Sequence, residues 1–582
     1  MPRSDIVFLH APSVYDFRKK PIFYGPVSDV VPSSPVFEMY PIGFMTISTH
    51  LERAGYRTRI VNLAVQMLAD ERFDVERRIR SLDADVFAID LHWMPHAHGA
   101  LEIAKLVKSI HPHAKVQLGG FSATYYHQEL MQREEVDFVM RGDSTELPQV
   151  EFMDAVTGNG DFSEVQNLCW KDSDGKVRVN PLSFVPDSLD YVEFDYGTMI
   201  KSTMRNRDIK GALPWLGWDK LPLTSVFTVR GCCHTCTECG GSAYAGRGFL
   251  CRRRPAFRSP EKLAEDIERI GDYLASPVFI IGDVRQGGKD YAERLFNGIK
   301  ERGVDNHIAM EIFRPADREF YRMAGSALGE YTLEFSPESH DQSVRSKLSP
   351  LGDFDDSVME GTIRKALENG CQRFDLFFMV GLPEQTRESA LATADYSRSL
   401  WKRLDDDRRL FVYSAPFAPF VDPGSKGFEE PGKHGYRFFA RTLEEHRRLL
   451  DSPSWKYVLS YETEWMSRDE IAETSYDVAL GLNQAMLDCG QVTAEEKDSR
   501  DLRTETARGL MHRIDEIMTV PDPERRESLL WEVKDEGERI MASTICDKRD
   551  LDWDTGSIWR NAPRVAAGLA KSTLRSALSR RA

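Results

Sequence analysis

Nothing in this 582-residue sequence approaches the roughly eighteen consecutive apolar residues of a membrane-spanning helix, so none is expected. The N-terminus, MPRSDIVFLHAPS, lacks a long apolar core and runs straight into a strand-like segment. No secretory signal is read there, and a cytoplasmic protein is expected. Basic charge is in short supply: 76 Lys and Arg stand against 92 Asp and Glu, a formal net charge of −16. That argues against a general nucleic-acid binder, and no nucleic-acid partner is expected. Internal repeats of roughly 20–50 residues are missing, which excludes a solenoid, and so are long low-complexity segments. Cysteine is sparse, nine in all, yet four fall between positions 232 and 239. An odd count in so tight a cluster does not suit a disulfide framework; inside a cell it points to metal. What is left is an ordinary globular composition, 41% hydrophobic and 29% charged, long enough for about two to four domains.

The first 150 residues alternate short apolar runs with helical patterns. Ile6–Leu9, Thr58–Val61, Val86–Ile89, Val116–Leu118 and Val136–Met140 read as buried strands. Ile47, Leu51 and Ala54 form one intervening helical face, and Leu101, Ala104, Val107 and Ile110 another. This β-α-β rhythm predicts a Rossmann-like, doubly wound parallel sheet over 1–150, with its ligand beyond the carboxyl ends of the strands. Residues 151–215 have weak periodicity and read as a linker. A second β/α series over 216–454 has strands at Ser225–Val229, Val278–Ile281, His307–Glu311, Tyr331–Phe335, Phe374–Val380 and Leu410–Ser414. Six such units predict a partial (β/α)6 barrel of the TIM type, whose site lies at the C-terminal ends of its strands. From 455 to 582 a helical region is expected, opened by Ser467 and Glu470 as a capping box.

The first strand of the second series runs into VRGCCHTCTECGGSAYAGRGF. Cys232, Cys236 and Cys239 have the spacing C-x3-C-x2-C. Three thiolates on one compact loop suit a corner of an iron–sulfur cubane. Because such clusters usually take four cysteines, three leave one iron open to a ligand. Cys233, Cys236 and Cys239 form a second frame, with His234 among them, from which a zinc site can also be written.

In its placement after the first strand of a β/α series, the cysteine segment resembles the radical S-adenosylmethionine superfamily. The order of motifs over roughly residues 1–430 resembles the class with an N-terminal cobalamin-binding domain. The resemblance implies a 4Fe–4S cluster on Cys232, Cys236 and Cys239, with S-adenosylmethionine on its open iron as the source of a 5′-deoxyadenosyl radical. Where the family often has an aromatic residue before the third cysteine, this chain has Glu238. By the same resemblance, VFIIGDV would place Gly282 and Asp283 at the methionine amino group. LEFSPES would place Glu338 and Ser339 at the ribose or carboxylate, and FFMVGLPEQT would bring Val380, Gly381, Pro383 and Glu384 near the adenine.

In the first domain, YPIGFMTISTHLERAGY resembles the segment that opens the first helix of these cobalamin domains, with Gly43 at its start. VQLGGFSATYYHQELM and VDFVMRGDSTE resemble their later strand exits. Gly119 and Gly120 would allow close approach of a large planar ligand, and Ser122 and Thr124 would bond its amide rim. The cobalamin motif D-x-H-x-x-G does not follow the first strand. Asp90-Leu91-His92 imitates part of it after the third, in a loop that also holds His96 and His98.

The resemblance implies a methyltransferase acting on an unactivated carbon or a phosphinate phosphorus through methylcobalamin. A cyclase or rearrangement enzyme of the same architecture, or a non-catalytic cobalamin or cluster sensor, are the other readings. The implied partners are a small-molecule or lipid-like substrate and an electron donor such as flavodoxin or ferredoxin. After Asp554 the chain has no acidic residue, while Arg560, Arg564, Lys571, Arg575, Arg580 and Arg581 are basic. Val565, Leu569, Leu574 and Leu578 lie along one side of a helix, so a peripheral membrane contact through this tail is also expected.

Overall fold

The computed structural model describes residues 3–26, 34–158, 160–417, 420–540 and 558–579. Five parallel strands form the core of the N-terminal sheet: β1 (Ser4–His10), β2 (Thr58–Asn62), β3 (Ala84–Asp90), β4 (Lys115–Gly119) and β5 (Phe138–Met140). They stand in the order β2-β1-β3-β4-β5. Alternate residues supply both faces. Val7, Leu9, Phe87 and Ile89 pack with the helix Ala97–Ile110 on one side. Ile6, Phe8, Val86 and Ala88 pack with the helices Gly43–Arg53 and Glu146–Thr157 on the other. Burial on both faces is why these strands read as continuous apolar runs rather than alternating ones.

The stretch 151–215, read as a linker, is structured. Glu146–Thr157 is helical across the expected boundary. The strands β6 (Leu168–Lys171) and β7 (Val177–Val179) extend the N-terminal sheet antiparallel, and a helix covers Tyr196–Asn206. Strands of three and four residues are too short to show a period.

The second sheet is a parallel series in uninterrupted spatial order: β8 (Thr224–Phe227), then β11 (Val278–Ile281), β12 (Ile308–Ile312), β13 (Tyr331–Glu338), β14 (Cys371–Val380) and β15 (Leu410–Pro416). The expected first strand breaks at Thr228. Beyond it β9 (Val229–Arg230) turns aside to pair with β10 (Ala256–Phe257). Val226, Val278, Ile280, Met310, Leu333, Leu376 and Val412 face the outer helices in one large core. Each such side chain contributes on the order of 1.5–3 kcal/mol by burial. The register sets Glu311, Glu334, Asp375 and Phe411 side by side on the opposite, inner face.

The C-terminal region is mostly helical, with one small antiparallel pair first, β16 (Tyr436–Phe438) with β17 (Tyr461–Thr463). Ser467 and Glu470 form the expected capping box at the start of the helix Arg468–Asp488, which packs on the helix Arg387–Arg403 and on β15. No helix among the described residues is long and apolar enough to cross a membrane. The expected basic, amphipathic tail is a helix, Ala562–Ser579, laid against the barrel. Arg564 pairs with Asp305 and Lys571 with Asp272, both at 2.7 Å. Arg580 and Arg581, and the side chains of Leu574, Arg575 and Leu578, lie outside the described residues.

Candidate active site

A cavity of about 960 Å³ opens between the C-terminal ends of the N-terminal sheet and the upper end of β8. Its position follows from topology. β2 and β3 flank β1, and their connections cross opposite faces of the sheet, which leaves a crevice at the switch point. The cavity continues between sheet and helices, past Phe8, Ala88, Gln117 and Met140 on one side and Phe44 and Ile47 on the other.

His10 and Asp90 close β1 and β3 at this switch point. His10 Nδ1 donates to Asp90 Oδ1 at 2.8 Å, and His10 Nε2 donates to the Phe37 carbonyl at 3.1 Å. Burial alone would lower the His10 pKa, but the adjacent carboxylate outweighs it and holds the imidazole above its ordinary value. Burial likewise opposes ionisation of Asp90, and His10 outweighs it, holding the carboxyl below its ordinary value. The second oxygen, Asp90 Oδ2, is buried without a protein partner, and Asp90 lines the cavity. Of the three histidines in the next loop, only His92 reaches the cavity; its ring stacks on Phe121 at 4.8 Å, and burial pushes its pKa down to about 4. His96 instead donates to the Phe37 carbonyl at 2.8 Å, and His98 accepts from the Tyr15 amide.

Gly43, Gly119 and Gly120 all line the cavity. A side chain at Gly43 would meet only open space, whereas one at Gly120, where φ is +114°, would strike the His92 backbone at 2.5 Å. Gly120 is therefore required for loop packing as much as for ligand approach. Ser122 and Thr124 do not reach the cavity. Ser122 donates to the His92 carbonyl at 3.2 Å; Thr124 donates to the Gly120 carbonyl at 2.7 Å and accepts from the Gly142 amide at 2.9 Å. Their hydroxyls hold two loops together rather than an amide rim. An extended crevice floored by glycines, with an unpaired buried carboxylate oxygen at its edge, fits a large, flat, amide-bearing cofactor such as cobalamin.

The cysteine loop leaves β9 at Gly231, whose φ of +78° and contact with Arg252 leave no room for a side chain. Cys232 Sγ donates to Gln286 Oε1 at 3.2 Å, Cys236 Sγ donates to Ser349 Oγ at 3.1 Å, and Cys239 Sγ accepts from the Gly241 amide at 3.3 Å. Cys233 is exposed and meets His234 at 3.3 Å. Among the described residues no three His, Cys, Asp or Glu side chains are placed to hold a single metal ion. A cubane binds its cysteines at separate corners, so it asks for thiols spaced more widely than the ligands of a single ion. Gly231 and Gly241, on either side of the cysteines, both line the large cavity.

The remaining expected positions divide. Asp283 is buried, but its carboxylate is engaged by Arg285 and by the Phe313 amide at 2.9 Å, while the Gly282 amide donates to Glu311. Glu338 has a left-handed backbone (φ +71°), and its buried Oε2 has no partner. Burial pushes its pKa up to about 7. Ser339 is buried and accepts from the Asp341 amide at 3.1 Å. The Gly381 amide donates to Gln385, and Glu384 sits outside with Lys347 at 3.4 Å. Glu238, in the aromatic position, is buried and accepts from Tyr436 at 3.1 Å; burial and Glu338 push its pKa up to about 8. Sequence reasoning missed Glu311 and Glu334, carboxylates at inward positions of apolar strands. The available signal was their period of two within IAMEI and TLEFS.

Residues 29–150 match the family model described as B12 binding domain. The chain is similar to cytidylyl-2-hydroxyethylphosphonate methyltransferase of Streptomyces wedmorensis, 24% identical over 408 residues, 62% of this chain and 73% of that one. It is 25% identical over 276 residues to hopanoid C-3 methylase of Methylococcus capsulatus, 47% of each chain. Anaerobic magnesium-protoporphyrin IX monomethyl ester cyclase of Synechocystis is 23% identical over 235 residues, 40% of this chain and 43% of that one. Among solved structures, the radical S-adenosylmethionine methyltransferase TsrM of Kitasatospora setae, with cobalamin and a [4Fe-4S] cluster, superposes at TM-score 0.53 with 14% identity, over 85% of this chain and 90% of that one. The cobalamin-dependent S-adenosylmethionine radical enzyme OxsB, with aqua-cobalamin and S-adenosylmethionine, gives 0.51 with 11% identity, over 99% and 80%.

Proposed function

We propose that this chain, built on the fold of the cobalamin-dependent radical S-adenosylmethionine enzymes, methylates an unactivated carbon or a phosphinate phosphorus of a small-molecule substrate. One observation carries the reading. The glycines that bracket the three-cysteine loop and the residues at the switch point of the B12-binding domain line one and the same cavity. When bound, the cluster with S-adenosylmethionine supplies the hydrogen-abstracting radical, and cobalamin supplies the methyl group.

The chain's own residues bind and orient. Cys232, Cys236 and Cys239 would hold the cluster. Glu338, with an unpaired oxygen at the barrel's upper end, would accept a hydrogen bond from the cosubstrate. Asp90 Oδ2 would accept one from a cobalamin amide. Flavodoxin or ferredoxin would deliver electrons to the cluster. Of the four apolar residues of the tail, Val565 and Leu569 line the cavity, so a peripheral membrane contact would fall to the rest of the tail.

Anaerobic reconstitution, a visible spectrum and product analysis test the reading. Bound cobalamin, an iron–sulfur chromophore, and 5′-deoxyadenosine and S-adenosylhomocysteine under strong reductant are expected. A substrate should gain the mass of one methylene, with label from methyl-labelled cosubstrate. Ring formation is the second reading, favoured by the likeness to the cyclase; a product without added label would establish it.

A further inference from the structure

The large cavity has two unlike ends. At one end lie the unpaired Asp90 Oδ2 and the amides of Gln117 and Gln149, which bond each other but keep a second N–H and lone pair each. At the other end Met199, Ile200, Trp215, Trp218, Leu274 and Leu569 form a wall that is almost entirely apolar. The one indole N–H there whose bond is plain, that of Trp218, is spent on the Leu223 carbonyl at 2.7 Å. A ligand rimmed with amides finds partners at the first end and very few at the second, where its polar groups would lie buried and unpaired.

The helix Ala562–Ser579 builds the outer side of the apolar end. Ala562, Val565, Ala566 and Leu569 face the cavity at the i, i+3, i+4, i+7 spacing of a single helical stripe. Two of the four are alanines, so the stripe leaves space rather than filling it. Its placement is specific. Besides the two ion pairs on Asp305 and Asp272, Asn561 accepts from the Ala275 amide at 2.9 Å, and the Ile558 amide donates to the Asp219 carbonyl at 3.0 Å. Gly568 sits so close to Asp272 and Tyr273 that a Cβ would lie 2.6 Å from a backbone oxygen. At the mouth, Met204 and Ile209 line the cavity while 64% and 55% exposed. Large apolar side chains kept open to water at the entrance of an apolar pocket mark a binding surface.

We propose that this end of the cavity holds the hydrocarbon portion of an amphiphilic substrate, with the C-terminal helix as its retaining wall. The inference rests on the methyltransferase reading and adds the substrate class to it. The reacting part of such a molecule lies toward Gly231 and the cysteine loop, and its apolar part lies along Trp215, Trp218 and the stripe on the helix. Specificity for chain length or ring count is then set by Ala562, Val565 and Ala566, whose size fixes the space available.

The test uses the holoenzyme, loaded with cluster and cobalamin, and 11-(dansylamino)undecanoic acid as a fluorescent probe. The wild type should bind the probe with a blue-shifted, enhanced emission. Ala566→Trp should weaken binding by at least tenfold while cobalamin content per chain stays the same. Ala562→Trp, one turn away, repeats the test if the first variant folds poorly. Failure of the loaded wild type to bind the probe overturns the proposal, as does equal binding by both variants. So does loss of the probe when cobalamin is added to cobalamin-free protein, because the cofactor would then fill this end. Formation of 5′-deoxyadenosine by the wild type is read separately. If it persists without probe binding, only the substrate class falls; if it is absent under strong reductant, the methyltransferase reading falls as well.

Discussion

Arg230 and Glu146 form a buried ion pair that ties the segment entering the cysteine loop to the first turn of a helix beside the large cavity. The Glu146 side chain is 1% exposed and also accepts from Thr46 at 2.9 Å and Tyr191 at 3.1 Å. A second buried pair, Arg252 with Asp143, runs parallel to it. The two sites in which we place cofactors are thus held in register by charges that cannot relax into water. Removing one partner of such a pair typically costs about 3–5 kcal/mol, because the other is left charged and buried.

Glu146→Ala should therefore destabilise the protein by roughly that amount in urea unfolding. Glu146→Ala combined with Arg230→Met should cost less than the single change. The pH dependence has a definite sign. Burial raises the Glu146 pKa, but Arg230 outweighs it and holds the carboxyl at about 2, against 4.5 for the free group. This contribution is present above pH 4.5 and is lost as the pH falls toward 2. Wild type and Glu146→Ala should converge in stability over that range; a constant gap would refute the assignment.

Cys232→Ala, Cys236→Ala and Cys239→Ala should each lose bound iron and all cosubstrate cleavage. Cys233 and Cys251, outside the C-x3-C-x2-C frame, should tolerate alanine with iron retained. Iron analysis with cleavage assays decides it. Loss of the cluster in Cys233→Ala together with retention in Cys232→Ala would move the ligand frame by one residue.

Cobalamin is expected to bind without a histidine nitrogen on cobalt. His92 is the histidine of its loop that reaches the cavity, and its ring is held flat against Phe121. Electron paramagnetic resonance of the cob(II)alamin form should show the same spectrum in the wild type and in His92→Ala, with no nitrogen splitting that depends on this histidine. A splitting that vanishes in the variant would make Asp90–His92 a displaced ligand motif.

Glu334 should make the protein less stable as the pH rises. Burial, with Asp375 and Glu311 beside it, pushes its pKa up to about 8 from 4.5. A raised folded pKa gives a contribution present below 4.5 and lost as the pH climbs through 8. Each pH unit in that window costs at most about 1.4 kcal/mol. Glu334→Gln should gain melting temperature relative to the wild type between pH 5 and pH 8, and no relative gain would refute the shift.

The barrel is legible in the sequence because its strands, such as VFII at Val278–Ile281, are short apolar runs whose outer residues must meet helices. The cysteine loop is legible because its spacing carries chemistry. Ser122 and Thr124 show the limit: a hydroxyl near a glycine-rich turn has the same sequence signature whether it bonds a ligand or the next loop. The tail shows another. Its apolar stripe is visible in the residue order, but a stripe does not say what covers it, and at Val565 and Leu569 the cover is this chain's own cavity. Leu168–Lys171 and Val177–Val179 escape because strands so short owe their existence to the neighbour they pair with.

The two ends of the chain are joined. Lys534 donates to the carbonyls of Phe17 and Lys20, both at 2.9 Å, across a separation of 517 residues from the first of these. The helix Ala562–Ser579 then shuts one side of the cavity. At a synthesis rate of roughly 5–20 residues per second, the N-terminal domain waits about twenty to ninety seconds for this helix to follow it. During translation the B12-binding domain exists with its pocket open on the side that this helix later occupies. A transcript truncated before residue 558 would yield a protein whose large cavity lacks this wall at its apolar end.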